Sequence, residues 1–244
     1  MKLKLTLFIT LFFCLPFTLK AYDSFHEEAN ALLEKEGLWV DTDFKKDETM
    51  ATTTFRAWLP FKAKDCWKIM TDTNNYVVYS KDYKDTRTLD KNQFDLVNQK
   101  QPDTINAFNE LVGEQKFPSD HGRIKGSGWM SYVLLRFNFP WPLADRWVVM
   151  RIKNDESKSL QNTYRYDYKT FAGNFKELKG YWELLPVPGK PGWTEFRGEY
   201  KADPGIAVPQ FLAKKIFKSS MKQTIETYKD VLGKAATPSN GGSL

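Results

Sequence analysis

Few side chains in this sequence are of a type and spacing that could carry covalent chemistry. The two histidines, His26 and His121, lie far apart. His121 falls in Ser119-Asp120-His121-Gly122, a loop-like stretch with neither a glycine-framed serine nor a cysteine partner, so no nucleophilic constellation forms around it. Two distant histidines make no metal-ligand cluster. Gly126-Ser127-Gly128 lacks the spacing and the lysine of a phosphate loop. Cys66 stands beside Trp67 in a helical segment and reads as a small buried hydrophobe, not a nucleophile. We therefore assign no catalytic residue, no metal ligand and no cofactor.

Non-covalent chemistry has more support. Tyr164, Tyr166, Phe196, Tyr200, Phe217, Met221 and Tyr228 supply large apolar area with a few hydroxyls, which suits a greasy pocket with sparse polar anchors and equally suits a plain core. Arg146 shares strand parity with Val148 and Met150, which points all three to the interior. A guanidinium there is costly unless paired; it holds a ligand phosphate or carboxylate bidentately, or it clamps a protein carboxylate such as Asp145 or Glu183. These ten residues form the candidate ligand-binding set.

The elements that must position them follow from periodicity. In Pro209–Leu232, Ile216, Phe217, Ser220, Met221, Thr224, Tyr228 and Val231 recur at three- and four-residue steps, with lysines mostly opposite, so the spacing predicts an amphipathic helix entered at Pro209 and stopped at Gly233. Upstream, a helix with a capping box at Ser24 and Glu27 buries Ala29, Leu32 and Leu33 and ends at Gly37. Strands are expected over Leu38–Lys46 and Thr49–Leu59, and a helix over Lys64–Thr71. Tyr76–Lys84 has no clear period. Lys84–Lys100 can carry two strands, TRTLD and QFDLVNQ. Asp103 can cap a short helix bearing Ile105, Phe108 and Val112, and this 102–123 insertion is either a lid over a cavity mouth or a surface helix filling a groove. From Gly122 the signal is β: strands at Trp129–Phe139, Asp145–Lys153, Gln161–Lys169, Gly180–Val187 and Trp193–Lys201, with Pro140-Trp141-Pro142 as a rigid corner. Alternation with one charged face predicts an antiparallel meander covered on one side. The fold class is α+β.

The first 21 residues are excluded from this fold. Lys2 and Lys4 precede an apolar run too short to span a membrane as a mature helix, and Ala21 offers a cleavage point; a signal peptide and export to the periplasm or the outside are expected. Cys14 lacks the small preceding residues of a lipoprotein site. The whole chain carries 36 Lys+Arg against 30 Asp+Glu, and removing Lys2, Lys4 and Lys20 lowers the net charge from +6 to +3, which weakens any nucleic-acid reading. About 220 residues remain, enough for one domain, 22–234, with its own core. One cysteine is left in it, so ordinary packing, not a disulfide, must hold it. Residues 235–244 are expected to be an unstructured tail.

FPWPLADRWVVMR at Phe139–Arg151, GYWELLP at Gly180–Pro186 and DPGIAVPQFL at Asp203–Leu212 resemble the StAR-related lipid transfer (START) family, within the helix-grip superfamily of the birch pollen allergen. The resemblance spans Gly37 to Leu232. It implies a bent antiparallel sheet wrapped around the C-terminal helix, with a lipid-sized tunnel between them for a sterol, phospholipid, sphingolipid or isoprenoid-like molecule. The chain departs from the family where Asp203-Pro204-Gly205-Ile206 lacks a frequent second glycine, and in its 102–123 insertion.

Three functions stay in play. The favoured one is a monomeric, non-enzymatic module that binds, transfers or senses a lipid, with transient membrane contact and no nucleic acid. The second is a cyclase- or dehydratase-like enzyme acting on a polyketide-like or aromatic substrate in the same cavity, which requires ionisable groups converging inside. The third, a non-binding interaction protein, requires a solidly packed interior.

Overall fold

The computed structural model describes residues 29–44, 50–138, 146–206 and 208–236. The first helix, α1, is described from residue 29 to residue 36. Ala29 and Leu33 on it are buried, and Gly37, at φ +70°, closes it by donating its N–H to the Leu33 carbonyl at 2.9 Å. The left-handed turn there is the conformation that glycine adopts without strain. The leader, the capping box at Ser24 and Glu27, the Pro140-Trp141-Pro142 corner and Asp145 all lie outside the described residues.

Eight strands form one antiparallel sheet: β1 (Leu38–Phe44), β2 (Ala51–Leu59), β3 (Tyr83–Leu89), β4 (Gly128–Phe137), β5 (Trp147–Asp155), β6 (Tyr164–Gly173), β7 (Glu177–Pro186) and β8 (Thr194–Asp203). Their spatial order is β1-β2-β8-β7-β6-β5-β4-β3. Strands adjacent in sequence are neighbours everywhere except between β2 and β3, whose separation lets β8 return beside β2. In β2 every second residue is buried, from Ala51 to Leu59, the period-two signature of a sheet with one dry face. The C-terminal helix, α6 (Gln210–Ala236), packs against β1, β2 and α2 (Ala63–Thr71) and closes the concave face. The expected α+β helix-grip architecture is therefore present, with the main core between sheet, α2 and α6.

Four expectations need correction. QFDLVNQ is helical, part of α4 (Lys91–Lys100). Asp90 accepts from the Gln93 backbone N–H at 2.7 Å while the Gln93 side chain accepts from the Asp90 N–H at 3.3 Å. This capping box, with Phe94 and Val97 three residues apart and both buried, outweighs a short apolar alternation. The next helix, α5 (Ile105–Val112), is capped by Thr104, whose hydroxyl accepts from the Ala107 N–H at 3.1 Å, and not by Asp103. Gly233 does not stop α6, which continues to Ala236 and so takes in the first two residues of the expected tail. Leu232 is buried just before the glycine, and that packing overrides a propensity cost of about 1 kcal/mol.

The fourth correction concerns the sheet, which is covered on both faces in part. α4 and α5 lie on the side away from α6, where Phe94, Val97 and Phe108 pack with Leu134, Trp147, Val149 and Ala172. Val148, Met150 and Ile152 alternate with that set and face the main core. The near-continuous apolar run of β4 now has its reason: Leu134 points one way, Val133 and Leu135 the other, and both sides are dry. Arg87 anchors the arrangement. It is 3% exposed, donates to the Gly113 carbonyl at 2.9 Å and to Asn109 Oδ1 at 2.5 Å, and pairs with Asp85. Residues 105–112 thus form a brace behind the sheet, not a lid over the cavity. The stretch without a clear period contains the single-turn helix α3 (Tyr76–Tyr79) and the start of β3.

Candidate functional site

The inward residues of β4–β8 and one side of α6 do not meet completely. Between them lies a cavity of about 110 Å³, bounded by Tyr166, Tyr168, Trp182, Tyr200, Phe217 and Met221 among others. A second cavity of about 80 Å³ adjoins it, and the two share Tyr76, Tyr83, Phe137, Trp182, Ser220 and Thr224 as walls. α6 contributes Ile216, Phe217, Ser220, Met221 and Thr224 to the larger one, the same three- and four-residue steps that mark its apolar face in the sequence. Lys214, Lys215, Lys218 and Lys222 stay exposed.

Aromatic contacts set the shape of the walls. Tyr166 stacks on Tyr168 at 5.4 Å and meets Trp182 edge-on at 5.5 Å. Tyr200 meets Phe217 edge-on at 5.8 Å, and Tyr83 lies between Tyr76 at 5.4 Å and Phe137 at 5.6 Å. Gly198 makes room for this ring set. A Cβ there would approach Trp182 Cδ1 to 2.7 Å and the Tyr181 carbonyl oxygen to 2.3 Å, so only a residue without a side chain lets the tryptophan lie in the wall. The Tyr76 hydroxyl donates to the Met70 carbonyl at 2.5 Å, tying α3 to the end of α2.

The titratable groups facing the interior are mostly phenols. Burial raises Tyr76, Tyr166, Tyr168 and Tyr228 well above the ordinary tyrosine range, and nearby phenols add to the shift. They remain protonated hydroxyls, able to donate or accept hydrogen bonds, and are poor proton donors near neutral pH. Burial also pushes Cys66 up to about 12, with Asp65 adding to the effect, so its thiol is inert there. Among the described residues no group of three His, Cys, Asp or Glu is placed to hold a metal ion, and no helix is long and apolar enough to cross a membrane.

The ten candidate residues divide into three groups. Met150, Tyr166, Tyr200, Phe217 and Met221 line the larger cavity, and Tyr228 lines the smaller. Val148, Tyr164 and Phe196 are buried in the surrounding core. Tyr164 stacks on Trp67 at 5.2 Å, and Phe196 fits between Phe55 and Tyr228 at 5.1 and 5.3 Å. Arg146 lines neither cavity. It precedes β5, half-buried, with its Nε enclosed and without a hydrogen-bond partner among the described residues. Glu183 is not its clamp: Glu183 accepts from Arg165 Nη1 at 2.7 Å and from Arg197 at 3.1 Å on the outer surface.

Several wall residues escaped the sequence reading. Trp182 shares parity with the buried Leu184 in β7, a signal that was available once that strand was recognised. Phe137 shares parity with Val133 and Leu135 in β4 in the same way. Tyr76 and Tyr83 carried no such signal, because the chain changes from helix to strand between them.

Compared with solved structures, the chain superposes on a STAR-related lipid transfer protein from Xanthomonas axonopodis at TM-score 0.56, with 16% identity over 81% of this chain and 94% of that one. A START superfamily protein from Mycobacterium smegmatis matches at TM-score 0.50 and 11% identity, covering 77% of this chain and 99% of that one. The human StAR-related lipid transfer protein 5 matches at TM-score 0.50 and 9% identity, covering 90% and 99%. The fold is the START fold. No family model matches the chain, and no curated protein matches it by sequence. At such identities the START likeness concerns backbone architecture alone.

Proposed function

We propose that this START-fold domain binds one hydrophobic molecule between its sheet and α6, as a carrier or sensor and not as an enzyme. The observation that carries the reading is the unfilled, aromatic-walled space of about 110 Å³ with its neighbour of about 80 Å³. A packed core closes voids larger than a water molecule. Apolar cavities of roughly 150 Å³ take up a benzene-sized ring, so the space as it stands suits a ring or a short chain segment. A sterol or an acyl lipid requires the walls to part. Ile216, Phe217, Ser220 and Thr224 on α6 are only half-buried and are the wall most easily displaced. Burial of the ligand's apolar surface supplies on the order of 25 cal/mol per Å² towards that opening.

The names of the Xanthomonas and human relatives in fold favour a lipid as the ligand. The lysine-bearing, apolar start of the chain favours export. Native mass spectrometry of gently purified protein tests the binding reading. A co-purifying hydrophobic molecule is the expected result; a chain that stays empty against a broad panel of lipids would sink it.

A further inference from the structure

The two cavities differ in wall chemistry. The larger is bounded by aromatic and aliphatic side chains with only hydroxyls for polarity, whereas the smaller adds Tyr79, Ser80, Asp82 and Thr227. Among the described residues lining either space, Asp82 is the one carboxylate, and no lysine, arginine or histidine faces them. Asp82 is half-buried at the turn before β3 and accepts from Gln223 Nε2 of α6 at 2.9 Å, with Ser80 as its other polar neighbour. Lys81 is the cation that acts on it, but Lys81 is exposed and lies outside the cavity lining. Burial raises the Asp82 carboxyl above its ordinary value, the direction expected of an acid that has lost water without a close counter-charge.

We infer that the ligand's polar end carries a hydrogen-bond donor and no negative charge, and that it lies at the Asp82–Gln223 end while its apolar part lies toward Tyr200 and Phe217. The inference rests on the binding reading above and narrows it. A phosphate or carboxylate head would be desolvated beside a carboxylate with no cation in the wall to offset it. A hydroxyl or an ammonium donates to that carboxylate instead. The ammonium also gains from the faces of Tyr76, Tyr83 and Trp182, and the hydroxyl oxygen can accept from a wall phenol.

The test is displacement of a neutral fluorescent naphthylamine probe by three molecules of one chain length: decanol, decylamine and decanoate, at about pH 7. Decanol and decylamine are expected to displace the probe at concentrations about tenfold or more below decanoate, a factor worth about 1.4 kcal/mol. In Asp82→Asn the shape is kept and the charge removed, so the gap between decylamine and decanoate should shrink to within about threefold. Decanoate displacing as well as the other two in the unaltered protein overturns the inference, as does an unchanged gap in a folded Asp82→Asn. Should that variant fail to fold, the comparison in the unaltered protein decides alone. If the probe binds nowhere and none of the three molecules binds by native mass spectrometry, the failure lies in the binding reading itself.

Discussion

Replacing Ala202 by leucine asks whether the space behind β8 is hollow, because the sign of the stability change differs between a void and a filled core. Ala202 is 2% exposed, sits opposite Leu178 in the β7–β8 register and lines the larger cavity. Leucine adds three carbons, each worth about 0.8 kcal/mol when it passes from water to an apolar site. The gross gain is therefore about 2.4 kcal/mol, less about 0.5–1 kcal/mol for ordering the longer side chain. A net stabilisation of about 1.5 kcal/mol in a domain of this size raises the melting temperature by roughly 3–6 °C. The same carbons occupy ligand space, so affinity for the neutral probe should fall by about tenfold. Were the interior packed solid, overfilling would instead cost about 1–3 kcal/mol. Thermal denaturation of the ligand-free protein and a probe titration give both quantities. A leucine variant that melts several degrees lower and binds the probe as before would refute the cavity.

Other consequences are separable from that one. Phe217→Asp and Tyr166→Asp place a carboxylate in the apolar wall, and variants that keep the native circular dichroism spectrum should bind the probe at least about tenfold more weakly; parent-like binding would remove those residues from the site. Phe108→Ala on the outer brace should cost about 3–5 kcal/mol in urea denaturation, yet leave probe affinity unchanged, because it packs on the face away from the cavity. Asp90→Ala removes the α4 cap and should cost about 1 kcal/mol, again without effect on binding. Cys66, raised from 9.0 to about 12, should resist thiol reagents in the native protein and react on unfolding. The same shift sets a pH window: the unfolded thiol ionises near pH 9.0 while the folded one stays neutral, so its contribution is intact below pH 9.0 and is lost as pH climbs toward about 12. The buried tyrosines act in the same direction, so the larger part of the tyrosinate absorbance should appear together with alkaline unfolding. Gradual ionisation of most of the tyrosines in a folded protein would contradict their burial.

What the sequence determined is what depends on neighbours along the chain. Period-two alternation in Tyr164–Tyr168 and Phe196–Tyr200 placed those rings on the dry face of a sheet, and the spacing of Ile216 to Tyr228 placed the opposing helix face. Both follow from fixed backbone geometry, so a residue's parity gives its side. What only the tertiary structure decided is where two such faces fail to meet. Tyr164 and Tyr166 have the same parity, yet Tyr164 is packed against Trp67 while Tyr166 borders the cavity. That difference arises from α2 lying over one end of the sheet, a contact between segments about a hundred residues apart. The second covered face is of the same kind. QFDLVNQ could pass for a strand until the capping box at Asp90 and the apolar outer side of β4 and β5 are seen together. Asp82 and Gln223 likewise come from distant segments, so the polar end of the cavity exists only once α6 has closed over the turn before β3.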